Sequence, residues 1–98
     1  MKVVNLRSEA YEVYIGRGSI FGNPFKISIH SSRDIVIAKY KEYFYKRVNT
    51  DFAFKDAVLN LKGKTLGCYC KPLACHGDII VDYLDNAFAI RGERSLNE

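Results

Sequence analysis

Three cysteines lie within eight positions, at Cys68, Cys70 and Cys75, and His76 and Asp78 come next among the residues that can do chemistry. An odd number of cysteines packed this closely is a poor disulfide framework. An intracellular disulfide would be expected only in a hyperthermophile. The cluster therefore predicts a metal site, a reactive thiol or a set of small buried residues, and the sequence leaves these alternatives open.

The metal alternative is a zinc site. Three thiols and an imidazole, from Cys68, Cys70, Cys75 and His76, make up a Cys3His ligand set. The spacing argues against it, because Cys-x-Cys is tighter than the usual separation of two to four residues. Two adjacent ligands, Cys75 and His76, are also awkward for one ion. Zinc is therefore a possible cofactor here and not the favoured one.

The metal-free alternative places the same segment at the start of a helix. A helix N-terminus carries unpaired N–H groups and a partial positive charge, which can bind a phosphate or lower the pKa of a thiol such as Cys75. His76 can then act as an acid or base, and Asp78 can orient it or cap the helix. Cys75, His76 and Asp78 are the candidate catalytic residues, and Cys70 and Gly77 are candidate ligand contacts.

A second candidate segment runs from Arg17 to Phe25 and contains Gly18, Gly22 and Asn23. Glycines let backbone N–H groups approach an anion closely, and an arginine can bind a phosphate or carboxylate with two hydrogen bonds. The asparagine can bind a base edge or a ribose hydroxyl. A tight connection without a ligand remains the alternative, because the spacing matches neither the Rossmann fingerprint nor the P-loop.

The 98 residues predict one domain over 1–98, with a frayed polar tail over 92–98. The net charge is +4 and is uneven. Residues 1–50 hold nine Lys/Arg and four Asp/Glu, and residues 51–98 hold six and seven. This basic first half permits a nucleic-acid partner. The apolar runs are too short for a membrane span, and the N-terminus lacks a signal-peptide pattern. We therefore expect a soluble, cytoplasmic protein.

The predicted elements follow the order β-β-α-α-β-α. The strands are expected at 3–6, 12–16 and 64–70, with Pro72 ending the third. The first helix is expected to begin at Ser31 or Ser32 and the second at 49–51, with Gly63 as its stop. The last is expected to open at 75–78 and end at Gly92. This order predicts a small α/β domain with a mixed or partly parallel sheet, flanked by helices and Rossmann-like in general character.

Aromatic and basic residues alternate over 40–47, within the first predicted helix. Such a pattern can suit nucleic acid. At helical spacing, however, the residues Val36, Tyr40, Tyr43, Phe44 and Val48 fall on one apolar face. We therefore interpret the pattern as a core face with a basic rim.

Four motifs carry a family resemblance: Gly-Arg at 16–17, Gly-Asn-Pro-Phe at 22–25, Cys-x-Cys-x-Pro at 68–72 and Cys-His-Gly-Asp at 75–78. Together they resemble a small phage and prokaryotic domain family of unknown function, over nearly the whole chain. Tyr69 stands where the family often has tryptophan. The resemblance implies a viral or prokaryotic accessory protein, and the family's similarity to Rossmann-like nucleotide sensors implies a nucleotide-related role.

These observations predict that the protein binds, with or without processing, a nucleotide-derived or other phosphorylated ligand. In α/β sheets such ligands bind beyond the carboxyl ends of strands, where Arg17 and Cys70 both fall. Two alternatives stay open. One is a zinc-stabilised module that binds nucleic acid or protein, and the other is a thiol-based redox or transfer enzyme. The sequence does not predict the oligomeric state, and if the protein is viral its expected location is the host cytoplasm.

Overall fold

The structure is a computed structural model that describes residues 1–26, 32–71 and 73–86. Its strands are β1 at Lys2–Asn5, β2 at Val13–Tyr14 and β3 at Thr65–Cys68. The sheet order is β1-β3-β2, and β3 pairs in parallel with both neighbours. The predicted α/β class is therefore confirmed, and the described sheet is parallel throughout. Pro72, Gly92 and the predicted tail lie outside the described residues.

Helix α1 spans Arg33–Thr50 and begins where the sequence indicated. The Ser32 side chain accepts a hydrogen bond from the backbone N–H of Ile35 and so caps the first turn. Four residues of the predicted stripe are buried: Val36, Tyr40, Phe44 and Val48. This confirms the interpretation of the aromatic and basic segment as a core face, with its lysines outside the core.

Helix α2 spans Phe52–Leu59, and the carboxylate of Asp51 caps it by accepting from the N–H of Phe54. It ends before Gly63, which had been expected to stop it. The glycine instead adopts a φ of 85° in the turn that leads into β3, a conformation that other residues rarely adopt. A last helix, α3, occupies residues 77–86, as far as the chain is described there. None of these helices has both the length and the apolar character needed to cross a bilayer.

The core lies on one face of β3. Leu66 and Cys68 are two residues apart, so their side chains point to the same face, and both are 1% exposed or less. They pack in one cluster with residues of all three helices, including Phe44, Val58 and Ile80. The helices therefore cover this face and bring the start of α3 against the end of β3.

Gly67 points to the opposite face of the sheet, where the chain between β1 and β2 passes over it. A Cβ atom at this position would lie 2.6 Å from Cγ of Tyr11 and 3.0 Å from its Cβ. These atoms are close to the backbone of Tyr11 and have little freedom to move. The glycine is therefore what allows the 6–12 segment to cross the central strand.

We expect Gly67→Ala to reduce the free energy of unfolding by about 1–3 kcal/mol, because the added methyl group overlaps Tyr11. Urea unfolding measures the loss. The variant Gly67→Ala/Tyr11→Ala removes the overlapping ring and should recover part of it. If the double variant loses as much free energy of unfolding as the two single variants lose together, the overlap is not the cause.

Candidate functional site

A cavity of about 270 Å³ opens beyond the carboxyl ends of β2 and β3. Tyr14 and Cys68, the last residues of these strands, lie on one side of it, and the first turn of α1 and the approach to α3 close the others. This is the position at which α/β sheets commonly bind ligands. The lining residues are Tyr14, Gly16, Arg17, Asn23, Arg33, Val36, Ile37, Cys68, Tyr69, Cys70, Ala74, Cys75 and His76. The two segments singled out in the sequence therefore meet at one cavity.

Arg17 and Asn23 line the cavity and also hold their own loop together. The Arg17 guanidinium donates to the carbonyl oxygens of Asn23, at 2.6 Å, and of Phe25, at 2.8 Å. The Asn23 amide donates to the carbonyl oxygen of Val36 at 3.4 Å, and its Oδ1 accepts from the N–H of Phe25 at 2.8 Å. A guanidinium has five N–H groups, so these two bonds still leave Arg17 able to donate to an anion.

The three candidate glycines do not line this cavity. Gly18 and Gly22 border a separate depression beside Arg47. Gly18 has a φ of 92°, and a Cβ on Gly22 would lie 2.7 Å from the carbonyl oxygen of Gly16. Gly77 lies where a Cβ would be 2.6 Å from Cδ1 of Ile15. Backbone conformation or close packing therefore accounts for each of these glycines.

The three cysteines come together at the cavity wall, with their Sγ atoms all within 4.8 Å of one another. Cys68 and Cys75 are buried with their sulfurs 3.0 Å apart, and Cys70 is half-buried. The hydrogen bond shared with Cys75 lowers the pKa of Cys68. The same contact, together with burial, raises the pKa of Cys75. The pair therefore gives up a first proton more readily than a second.

His76 lines the cavity as a neutral imidazole, because burial lowers its pKa. Its Nε2 lies 2.6 Å from the carbonyl oxygen of Ile15, so that nitrogen carries the proton and donates. Its Nδ1 then has a lone pair and lies 3.8 Å from the sulfur of Cys75. The ring also packs edge-on against Tyr40 at 5.1 Å between centroids. The backbone bond fixes the ring and leaves Nδ1 as the nitrogen that can accept a proton.

Asp78 faces a different depression and serves the start of α3. Its Oδ2 accepts from the backbone N–H of Cys75 at 3.2 Å, and its Oδ1 pairs with Lys71. The bond to Cys75 is the reach-back contact of a capping box, which fits one of its two predicted roles, and the contact with Lys71 is an ion pair. The carboxylate does not border the cavity that holds the thiols.

Sequence reasoning missed Arg33, Tyr14 and the apolar wall that α1 gives the cavity. Arg33 is the first residue of α1, and its guanidinium donates to the carbonyl oxygen of Ala74 at 3.2 Å. Its position directly after the cap Ser32 was visible in the sequence. What was not visible is that the start of α1 lies beside the cysteines, because that depends on how the helix packs across the sheet.

A family model described as a domain of unknown function (DUF4326) matches residues 2–86, which include all of the cavity residues. The chain belongs to the DUF4326 family. This confirms the resemblance to a small phage and prokaryotic family.

A phage relative of this DUF4326 chain supports the same assignment. The "Uncharacterized 12.4 kDa protein in nrdA-td intergenic region" of Enterobacteria phage T4 is 36% identical over 87 residues, which cover 89% of this chain and 80% of the phage protein. No solved structure matches the chain significantly.

Proposed function

We propose that this DUF4326 protein binds a nucleotide-derived or other phosphorylated small molecule, with or without processing it, in the cavity beyond β2 and β3. The observation that carries the proposal is the lining of that one cavity. Two guanidinium groups, of Arg17 and Arg33, border the same space as the rings of Tyr14 and Tyr69. Cationic groups beside aromatic faces suit a ligand that has an anionic group and a planar ring.

The size and walls of the cavity suit one base or nucleoside-sized group. Its volume of about 270 Å³ lies just below the ~300–1,000 Å³ usual for small-molecule sites. Val36 and Ile37 supply an apolar wall, and the tyrosines stand at its edge with Tyr69 54% exposed. Tyr14 and Tyr69 meet edge to face at 6.2 Å, and the guanidinium of Arg7 lies 5.0 Å from the Tyr69 ring. A dinucleotide would not fit within this space.

Arg33 is the better arginine for a test, because Arg17 also holds its loop. We expect Arg33→Ala to weaken binding of a nucleoside phosphate about 10- to 150-fold, the equivalent of one charge-assisted hydrogen bond of about 1.5–3 kcal/mol. The measurement is thermal stabilisation by a panel of nucleoside mono-, di- and triphosphates. A ligand at a concentration of about 100 times its Kd raises the free energy of unfolding by ~2.7 kcal/mol. Each kcal/mol raises Tm by about 4–8 °C.

Lys41→Ala is the matched control, because Lys41 is exposed on the same helix and its loss changes the net charge equally. It should leave binding unchanged. Nucleosides and inorganic phosphate, tested separately, show which half of the ligand binds. A panel that produces no stabilisation of the wild-type protein, or equal losses in the two variants, would count against this function.

Thiol chemistry is the second candidate, and the contact between Cys68 and Cys75 favours it. The lowered pKa of Cys68 favours its thiolate, which is the nucleophilic form, although the side chain is 1% exposed. The raised pKa of Cys75 makes that thiol a weak nucleophile at neutral pH. This candidate requires free thiols in the purified protein. A count of free thiols in the purified protein therefore separates it from a metal site.

A further inference from the structure

We propose that Cys68, Cys70 and Cys75 bind one Zn²⁺ through three thiolates, and that the fourth coordination position faces the cavity. Each thiol loses its proton to solvent on binding, so the metal complex carries one negative charge. This inference goes beyond ligand binding, and it holds whether or not the cavity takes a nucleotide.

The distances suit a tetrahedral ion. Zn–S bonds of about 2.3 Å place the sulfurs about 3.8 Å apart in such a site. The three Sγ atoms lie within 4.8 Å of one another, and those of Cys68 and Cys75 are 3.0 Å apart. Shifts of about 1 Å or less would therefore give the zinc geometry. Thiolates are the soft ligands that zinc accepts most readily in tetrahedral sites.

The local chain course removes the objection to the Cys-x-Cys spacing. On an extended strand, residues two apart lie about 6.6 Å from each other. Strand β3 ends at Cys68, however, and the chain then turns, with the N–H of Leu73 donating to the carbonyl oxygen of Cys70 at 2.8 Å. The sulfur of Cys70 lies within 4.8 Å of that of Cys68, and the turn that follows Cys70 leads to Cys75 just before α3.

A backbone N–H group already points at one of the sulfurs. The N–H of Gly77 donates to the sulfur of Cys75 at 3.2 Å. Such donors stabilise metal thiolates, and the outer contacts of a metal site commonly take this form. Arg17 and Arg33 line the same cavity and offset the negative charge of the complex.

His76 does not belong to the group of ligand atoms that the described residues bring together. Its Nδ1 lies 3.8 Å from the sulfur of Cys75 alone, while its Nε2–H and ring edge are held by Ile15 and Tyr40. A closed Cys3His site would have to recruit this ring. Three thiolates at the wall of a cavity instead leave a position for water or a ligand atom, as in catalytic zinc sites.

The first experiment is elemental analysis of untagged protein, with thiol titration on the same sample before and after a chelator. We expect about one zinc per chain and thiols that react only after chelation. Three free thiols without metal would overturn the proposal, as would one thiol with a Cys68–Cys75 disulfide. Iron or copper in place of zinc would overturn the choice of metal.

Cys70→Ser tests the ligand set, because Cys70 is the least buried of the three thiols. Changes in outer contacts cost about 10- to 100-fold in metal affinity, so loss of a ligand should cost ~100-fold or more. Competition with a chromophoric chelator measures it. Asp56→Asn is the control, because it alters an exposed carboxylate on α2 that does not line the cavity, and it should bind zinc as the wild type does. Equal affinity in the two variants would overturn the assignment.

Cobalt substitution of the wild-type protein tests the open position without any variant. We expect thiolate-to-cobalt charge-transfer absorption and tetrahedral d–d bands that shift when imidazole is added. Bands that imidazole does not shift would overturn the open position. A ~100-fold lower zinc affinity of His76→Gln would also overturn the open position, because a decrease of that size is expected when a metal ligand is removed.

Arg33→Ala separates this inference from the proposed function. It should keep zinc while losing affinity for nucleoside phosphates. A protein that holds zinc but binds no member of the nucleotide panel would therefore contradict only the proposed function. A protein that binds nucleotides with three free thiols would contradict only the metal site.

Discussion

Replacing Phe44 by alanine is expected to reduce the free energy of unfolding by about 3–5 kcal/mol, which is the loss found when large buried aromatic residues are truncated. Phe44 is 0% exposed, in the middle of α1. Its ring contacts four others, all with centroids within 6 Å, in Tyr40, Tyr45, Phe54 and Tyr83. These rings join α1 to α2 and α3, so the cavity that the truncation leaves cannot close without moving a helix.

Urea or thermal unfolding measures this loss. The free energy of unfolding of a small domain is about 5–15 kcal/mol, so this loss is a large part of it. Because each kcal/mol shifts Tm by about 4–8 °C, we expect Tm to fall by about 12 °C or more. Phe52→Ala is the matched control, because it makes the same chemical change at a side chain that is 75% exposed. It should change the stability by no more than ~0.5 kcal/mol. Similar losses for both variants would contradict the assigned core.

Gly77→Ala is expected to disrupt the site as well as the packing. The added Cβ would lie 2.6 Å from Cδ1 of Ile15 and 3.1 Å from both methyl groups of Val3. Ile15 is 0% exposed, so its side chain has no free space to enter. The start of α3 must therefore move away from the sheet. Overpacking of this kind costs about 1–3 kcal/mol, and the movement separates Cys75 from Cys68.

We expect Gly77→Ala to lower the zinc affinity about 10-fold or more, as changes around the ligands of a metal site commonly do. Adding Ile15→Val removes the overlapping Cδ1 atom. The double variant should recover stability and zinc affinity together, even though Ile→Val alone costs about 0.5–1.5 kcal/mol. If the stability losses of the two single variants simply add in the double variant, the overlap with Cδ1 of Ile15 is not the cause of the Gly77→Ala effect.

The helices could be predicted well because their signals are local. Ser32 and Asp51 cap α1 and α2 through side chains that reach N–H groups three residues ahead. The apolar stripe that includes Tyr40 and Phe44 follows from helical spacing. The first strand was predicted with the right length but one residue too late, and the other two were each predicted three residues too long. β2 has only two residues, because the chain turns away from β3 as soon as Tyr14 is paired.

The site could be predicted only in part. The segments around Arg17 and Cys75 were identified because glycines, thiols and charged groups are uncommon in such density. The orientation of His76 could not be predicted, since its partner is a backbone carbonyl 61 residues away, at Ile15. Arg33 and the apolar wall of α1 were missed for the same reason. Contacts between distant elements depend on packing, and local sequence patterns do not record them.

The central position of β3 also determines when this sheet can form. Lys2 pairs with Thr65, and Val13 pairs with Leu66, so both edge strands must wait for the same late segment. At translation rates of about 5–20 residues per second, β1 leaves the ribosome roughly 3–13 s before its partner. During that time the nascent chain can form α1 and α2 but has no strand on which to assemble a sheet. The cysteine cluster, whose first member ends β3, is therefore completed only in the last stage of folding.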